Sequence, residues 1–308
     1  MSETETRIAE TRIAGTRISV MKTYKLFVGG AFPRSESGRV YEVTDRKTGE
    51  WLANVPQGTR KDTRDAVGAA RKAVGGWSGA TAYNRGQILY RAAEMLQGRR
   101  EQFAAEVAAS EGVGARKAAA LVEAAVDRWV WYAGWTDKVA QIAGSANPVA
   151  GPYFNLSTPE PTGVVGVVAP TRGNGFSLLG LVSAIAPVIA TGNTVVVALA
   201  PEAPLPGLSL GEVLATSDLP GGVVNLISGR TEDIAPTLAS HQDVNALDLT
   251  GVNSPEGPGS ARALETLAAD TLKRVRRPDV TDDWTAAQGT DRLLAFLETK
   301  TVWHPMGI

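Results

Sequence analysis

Side chains that could attack a carbonyl group or accept a proton are scarce in this sequence. Its 308 residues contain no cysteine and two histidines, His241 and His304. A thiol nucleophile, a disulfide, a cysteine-bound zinc ion and an iron–sulfur cluster are therefore excluded for this chain. A Ser-His-Asp triad has two places to find its base. His241 follows a predicted helix end and His304 lacks a neighbouring carboxylate pattern, so we interpret both as solvated or packed side chains.

One serine lies in a pattern that is typical of hydrolases. Residues 207–211 read GLSLG and match G-x-S-x-G, with Ser209 as the nucleophile. That mechanism needs a strand immediately before the serine and a helix after it. Here the preceding residues are rich in proline and Ser209 falls at a helix start, so we interpret the match as chance. Asn174 could donate to an oxyanion, but an asparagine between two glycines is typical of a turn.

Charge and composition exclude several classes of partner. Lys+Arg total 31 and Asp+Glu total 32, which gives a net charge of −1. We therefore expect neither nucleic acid nor an anionic membrane surface as a partner. Residues 173–201 carry no charge, but Pro187, Gly192 and Asn193 interrupt them. A buried helix, a turn and a buried strand explain this stretch better than a transmembrane helix.

The first residues show a short repeat. Thr-Arg-Ile recurs at Thr6, Thr11 and Thr16, a period that fits neither a helix face nor a strand face. We predict a flexible tail over residues 1–21. Because the segment has neither an apolar signal core nor a twin arginine, and carries several glutamates, we expect a cytoplasmic protein.

The elements that must position any site alternate between strands and helices. Residues 164–168 are a continuous apolar run, typical of a strand buried on both faces. Further elements are predicted in this order: helix 176–190, strand 194–199, helix 207–216, strand 223–227, helix 231–240 and strand 245–249. This alternation predicts an α/β fold with a doubly wound parallel sheet. Ligands of such sheets bind at the carboxyl ends of the strands.

The flanking regions have other patterns. Residues 24–57 predict short strands and turns, and helices are predicted near Asp62 and over 83–98, 100–111 and 115–140. The aromatic run Trp129, Trp131, Tyr132 and Trp135 is typical of helix packing. Further on we predict a helix over 261–275 with Ser260 as its N-cap, a linker over 276–290, a short helix over 291–297 and a final strand over 299–304.

Several segments together resemble the aldehyde dehydrogenase superfamily. They read FVGGA from Phe27, EPTGVVGVVAP from Glu160, GNTVV from Gly192, LPGGVVNLISG from Leu219, LKRV from Leu272 and ETKTVW from Glu298. The resemblance implies a dinucleotide-binding-type domain over 22–275 that includes a hairpin arm at about 140–160. It also implies an oligomerisation strand within 291–308. The residues that it implies for cofactor contact are Ala169, Pro170, Gly229, Thr250 and Gly251.

The parts of the family pattern that perform chemistry are missing. In the family, the L-K-R-V segment leads into E-L-G-G, whose glutamate is a general base. Here Val275 is followed by Arg276, Arg277 and Pro278. The domain with the nucleophilic cysteine is replaced by the linker over 276–290. A thiohemiacetal intermediate needs a thiolate, so we expect no catalytic residue in this chain.

The implied cofactor site is altered as well. The family's ribose-binding lysine falls on Ala198 and its following glutamate on Pro201, while the serine after T-G becomes Val252. Gly175 is nearest to the position of the family's oxyanion asparagine. Losing charged contacts weakens anion binding. We therefore expect NAD or NADP to bind weakly or not at all, and no metal.

The retained segments suggest assembly instead. The resemblance implies that the hairpin 140–160 and strand 299–304 pair with a neighbouring subunit's catalytic-domain sheet. We predict a non-catalytic structural or regulatory subunit in a hetero-oligomer with a full-length NAD(P)-dependent aldehyde dehydrogenase. A dinucleotide-sensing regulatory subunit and an NAD(P)-dependent aldehyde oxidoreductase are the alternatives. Alone, the chain is expected to leave strand edges and an apolar domain face exposed.

Overall fold

The computed structural model describes residues 21–278 and 283–307. Residues 1–20, which make up nearly all of the predicted tail, lie outside the described residues, as do 279–282 and 308. Within the described part, helices are too short or too polar to cross a membrane.

The first described elements are a β-hairpin and four helices. Strands β1 (Val40–Thr44) and β2 (Trp51–Pro56) pair in an antiparallel manner. They are followed by α1 (Arg60–Gly79), α2 (Ala82–Gly98), α3 (Arg100–Glu111) and α4 (Ala115–Ala133). A reciprocal capping box between Thr59 and Asp62 starts α1. The long helix predicted over 115–140 is too long by several residues, because the chain leaves the helix at Gly134.

A five-stranded parallel sheet forms the centre of the fold. Its strands are β5 (Val164–Val168), β6 (Thr194–Ala198), β7 (Val224–Ile227), β8 (Ala246–Asp248) and β9 (Arg274–Arg276), in the spatial order β7-β6-β5-β8-β9. The intervening helices are α6 (Leu181–Ala190), preceded by a π-helical turn (Phe176–Gly180), then α7 (Leu205–Ala215), α8 (Thr231–Ser240) and α9 (Ala261–Ala269). The predicted doubly wound α/β fold is confirmed. The chain runs outward from β5 to β7 and then returns to β8, so the strand order reverses between β5 and β8.

Both faces of the sheet are buried, as the apolar run of β5 predicts. Val165 and Val167 belong to a large core with the buried aromatic residues of α4 and with α6. Val164 and Val168, on the other face, pack against α1, α8 and α9. Period-two alternation sends successive side chains of one strand into two different cores.

The predicted helix over 261–275 is wrong in its second half. Helix α9 ends at Ala269, and Leu272 then adopts a φ of 53° with 93% of its surface exposed. Arg274–Arg276 form β9, in which Val275 pairs with Leu247 of β8. Leu272 and Val275 extend the helical stripe in the sequence, but hydrogen bonding to the sheet edge overrides a local pattern of this kind.

A separate three-stranded sheet, here called the arm, is built from two distant parts of the chain. After a short helix α5 (Val139–Ala143), it contains β3 (Ser145–Asn147), β4 (Tyr153–Pro161) and β10 (Leu297–Pro305), and α10 (Asp291–Leu294) precedes β10. The order is β10-β4-β3, and all pairs are antiparallel. The predicted strand 299–304 lies within β10, but its pairing with the hairpin was not anticipated.

Candidate functional site

Four of the five predicted cofactor residues lie where the strand order reverses. Ala169 and Pro170 follow β5, and Thr250 and Gly251 follow β8, its neighbour. Gly229 follows β7, which is separated from β5 by β6, so it is not brought together with the others. Its surroundings are Gly58 and Ile234. The structure thus assembles a single candidate edge, between the ends of β5 and β8.

This edge is closed by backbone contacts. The Gly251 N–H donates to the Val168 carbonyl at 3.0 Å. A Cβ at position 251 would lie 1.7 Å from the Ala169 carbonyl oxygen, which is far inside van der Waals contact. The Thr171 hydroxyl donates to the Gly251 carbonyl at 3.1 Å and accepts from the Asn253 amide. Glycine at 251 therefore allows the two strand ends to meet, and no gap is left between them.

A crevice of about 420 Å³ opens beside this edge, near the start of α9. Glu202, Glu232 and Glu256 are among its lining residues, together with threonine, proline, glycine, valine, asparagine and serine, and Lys, Arg and His are absent from the lining. The positions that the resemblance assigns to the ribose contacts are Ala198, buried in the core, and Pro201. The N-terminus of α9 is capped by the Ser260 hydroxyl, which accepts from the Ala263 N–H.

The lining does not suit a dinucleotide pyrophosphate. Phosphate groups in proteins are held by Arg or Lys side chains and by free backbone N–H groups. Three carboxylates would repel such a group, and the described part of the crevice supplies no cation to offset them. The residues present therefore do not fit the anionic part of NAD or NADP.

Sequence reasoning missed a buried ion cluster behind the same edge. Asp248, at the end of β8, is 2% exposed and lies 3.3 Å from the Arg292 guanidinium. Its carboxylate accepts from the Thr250 N–H at 3.0 Å. The Thr250 hydroxyl in turn accepts from Arg276 at 2.8 Å, so this predicted cofactor residue is engaged within the chain. An aspartate inside an otherwise apolar strand was the signal in the sequence, because such a charge needs a buried partner.

Tyr132 lies beside this cluster and is not a base at neutral pH. Burial raises the pKa of Tyr132 to about 12, although the nearby guanidiniums of Arg128, Arg292 and Arg276 favour the phenolate and act against that shift. The side chain is fully buried and its hydroxyl has no hydrogen-bond partner in the described structure. It therefore remains a protonated, packed phenol.

Ser209 and His241 are engaged within the chain, and His304 lies exposed on the arm. Ser209 lies inside α7 with no exposed surface, donates to Glu106 at 2.7 Å and accepts from Lys22 at 2.6 Å. A substrate cannot reach it, so the chance interpretation of G-x-S-x-G holds. His241 Nδ1 accepts from the Asp243 N–H at 3.1 Å, and His304 faces Phe154 across the arm.

The turn after β5 is occupied by a carboxylate of the chain itself. The Gly175 N–H donates to Glu111 at 2.8 Å, and the Ser177 N–H donates to the same carboxylate at 3.0 Å. The Asn174 side chain points elsewhere and accepts from Lys117 at 2.8 Å. At Gly175 the turn therefore offers no free backbone N–H to an oxyanion, and the exposed Asn174 side chain directs its oxygen to Lys117.

The arm, which contains the segments predicted to contact a partner, exposes several apolar side chains. One side of the sheet is joined by hydrogen bonds among Asn147, Asn155, Ser157 and Thr301. The other side, here called the arm face, presents Phe154, Leu156 and Val302, which are 49%, 37% and 45% exposed. Leu156 and Val302 are directly paired across the strands. Alternation within β4 and β10 also places Lys300 and His304 on the arm face, and it places the exposed Tyr153 and Trp303 on the opposite side.

Comparison with known proteins places these observations in a family. The model of the aldehyde dehydrogenase family matches residues 32–275. Retinal dehydrogenase 2 of Gallus gallus is 34% identical over 235 residues, which is 75% of this chain and 44% of that protein. The mitochondrial aldehyde dehydrogenase family 2 member B4 of Arabidopsis thaliana is 34% identical over 230 residues, 74% of this chain and 42% of that protein.

A solved aldehyde dehydrogenase structure is similar to this chain as well. An aldehyde dehydrogenase of Bacillus cereus, solved as an NAD+ complex, is 27% identical with a TM-score of 0.72, covering 82% of this chain and 50% of that one. This chain spans about half the length of the relatives that it matches. Its parallel sheet and arm motifs, and a family match that covers most of its residues, support one conclusion: the chain belongs to the aldehyde dehydrogenase family.

Proposed function

We propose that this chain is a non-catalytic family member that binds a full-length aldehyde dehydrogenase subunit and serves it as a structural or regulatory subunit. The contact is formed by the hairpin 140–160 and strand 299–304. The observation that carries the proposal is the arm face, an apolar sheet surface that remains uncovered. The absence of cysteine from all 308 residues supports the non-catalytic part, because the family resemblance implies a reaction that begins with thiolate attack on an aldehyde.

The geometry of the arm favours a protein partner. Phe154, Leu156 and Val302 form one contiguous apolar surface, and such surfaces mark interaction sites. Within the described chain, β10 pairs with β4 alone, so its outer edge offers unpaired backbone groups. An edge of this kind accepts a further strand from another chain.

A full-length relative is the occupant that the family pattern favours. The resemblance implies that these segments pair with the catalytic-domain sheet of a neighbouring subunit. This chain matches only about half of its relatives' length, and the described residues contain no sheet besides the β1–β2 hairpin, the central sheet and the arm. The described residues of a second copy offer no such sheet in return, whereas the family pattern assigns one to a full-length subunit.

Disrupting the arm face should abolish the mixed particle. The chain is co-expressed with a full-length aldehyde dehydrogenase of its own source cell, and the product is analysed by size-exclusion chromatography with light scattering. Leu156→Glu places a charge inside the proposed contact and should remove co-elution, since burying an unpaired charge is costly. Tyr83→Glu is the matched control, because Tyr83 is 71% exposed on α2 and belongs to none of the three arm strands.

Three results would overturn the proposal. They are a stable monomer that ignores the full-length relative, a mixed particle that survives Leu156→Glu, and turnover of an aldehyde by the purified chain without a companion. A self-associated particle of this chain alone would assign the arm face to a second copy instead.

A dinucleotide-sensing regulatory subunit is the second candidate, favoured by the NAD+ complex of the similar Bacillus cereus protein. We expect calorimetry to give a dissociation constant for NAD+ at least about a hundredfold higher for this chain than for that enzyme. The reason is that two or three charged contacts, each worth on the order of 1.5–3 kcal/mol, are absent from its crevice. NADP+ should behave alike. A micromolar constant would favour the sensing role.

A further inference from the structure

The arm face carries a histidine beside its apolar side chains. His304 of β10 is exposed and lies directly opposite Phe154 of β4. Val302 lies two residues earlier on the same strand and therefore on the same face. Directly opposed side chains of an antiparallel pair have their Cβ atoms about 4.5–5.5 Å apart. A partner surface that covers the Phe154 ring must therefore contact the imidazole as well.

The other charged groups of the arm face are paired within the chain. The Lys300 ammonium lies 3.0 Å from the Glu160 carboxylate, and Arg274 donates to Glu298 at 2.9 Å. Glu160 and Glu298 face each other at one end of the sheet, and His304 lies toward the other end. The elements that pack against β4, β3 and α5, carry no ionisable side chain. Among the described residues, the His304 imidazole has neither a hydrogen bond nor an ion pair.

The charge of His304 therefore decides what a partner has to bury at this position. An imidazolium without a nearby carboxylate is costly to remove from water, whereas a neutral imidazole is much less so. The neighbours Phe154, Leu156 and Val302 are apolar and offer nothing to offset a positive charge. Covering the arm face thus favours the neutral form of His304, and binding opposes protonation.

We propose that a partner binds the arm face with His304 in its neutral form, so that assembly is coupled to pH. This coupling rests on the proposed function, because the arm face is the contact surface in both. A histidine gains its positive charge as the pH falls from about 8 to about 5. His304 then takes up a proton more readily in the free chain than in the mixed particle. Association is strongest above this range and weakens as the pH falls through it.

The partner surface opposite His304 is then apolar. A carboxylate at that place would pair with the charged imidazole, and association would become stronger as the pH falls. An apolar surface gives the opposite direction, because it can accept only the neutral ring. The direction of the pH dependence therefore reports the chemistry of the partner's contact surface.

Biolayer interferometry of the whole chain with a full-length aldehyde dehydrogenase of its own source cell measures the coupling. We expect the dissociation constant to be roughly tenfold higher at about pH 5.5 than at about pH 7.5, since the neutral fraction of an ordinary histidine falls by that factor. Glutamine is uncharged at both pH values, so His304→Gln should keep the tighter binding at both. Lysine is charged at both, so His304→Lys should bind weakly at both.

His241 provides the matched control, because it is the only other histidine of the chain. It lies just after α8, outside the arm strands, and its Nδ1 accepts from the Asp243 N–H. His241→Gln should therefore leave the roughly tenfold change intact. Far-UV circular dichroism of each variant at both pH values checks that the chain stays folded.

Three results would overturn the coupling while leaving the mixed particle in place. They are equal dissociation constants at both pH values, a pH dependence that survives His304→Gln, and tighter binding at the lower pH, which would assign a carboxylate to the partner surface. If no mixed particle forms at the higher pH, the proposed function itself is contradicted, and the coupling with it.

Discussion

Replacing Asp248 with Ala is expected to lower the free energy of unfolding by about 3–5 kcal/mol. The Asp248 side chain is 2% exposed, and it faces the Arg292 and Arg276 guanidiniums at 3.3 and 3.9 Å. Its removal leaves both guanidiniums without this carboxylate, and the Arg292 side chain is only 8% exposed while that of Arg276 is 24% exposed. Breaking a buried pair by deleting one partner is far more costly than the pair is stabilising. Urea unfolding monitored by tryptophan fluorescence measures the change.

The exposed pair between Arg274 and Glu298 provides the control. It lies near the buried cluster, its atoms are 2.9 Å apart, and its side chains are 42% and 55% exposed. Because solvent screens exposed pairs, Glu298→Ala should cost less than about 1 kcal/mol. Equal losses in Asp248→Ala and Glu298→Ala would mean that water reaches the Asp248 cluster, which would contradict the closed edge described above.

Gly251→Ala is expected to destabilise the fold by about 3 kcal/mol, at the upper end of the range for overpacked sites. The new Cβ would lie 1.7 Å from the Ala169 oxygen and 2.9 Å from the Val168 oxygen. Both neighbours are backbone atoms of a central strand end, so a side-chain rotation cannot relieve the contact. The substitution should separate β5 from β8 and break the bond from the Gly251 N–H to Val168.

The matched control is Gly76→Ala, which should have the opposite sign. Gly76 is exposed within α1, and a Cβ there meets no atom within 4 Å. Alanine in a helix interior is favoured over glycine by about 0.5–1 kcal/mol, so thermal unfolding should shift upward for Gly76→Ala and downward for Gly251→Ala. A tolerated Gly251→Ala would show that the two strand ends have room to move apart.

The sequence predicted the central fold well because its signals are local. The apolar run of β5 and the alternation of helices and strands up to β8 depend on short-range periodicity and buried patterning. The same kind of signal failed at 270–276. There Leu272 and Val275 continue a helical stripe, yet Val275 pairs with Leu247, and strand pairing across the chain overrode the local pattern.

Site prediction from the sequence was incomplete for a related reason. Motif positions identified Thr250 and Gly251, but motif spacing does not reveal that the Thr250 hydroxyl already accepts from Arg276. The carboxylates lining the crevice come from three loops, at Glu202, Glu232 and Glu256. The three negative charges gather in one crevice only because the sheet brings these loops to the same edge.

By itself, the sequence determined the α/β class, the resemblance to the family and the absence of a thiol, because composition and short motifs carry that information. The tertiary structure alone decided that Trp284 meets Arg172, 112 residues away, and that Asp248 meets Arg292, 44 residues away. It also decided that β10 joins the hairpin and leaves one apolar side uncovered. Contacts of this kind depend on which distant surfaces pack together, and the free energy of that packing is a property of the whole folded chain rather than of any segment.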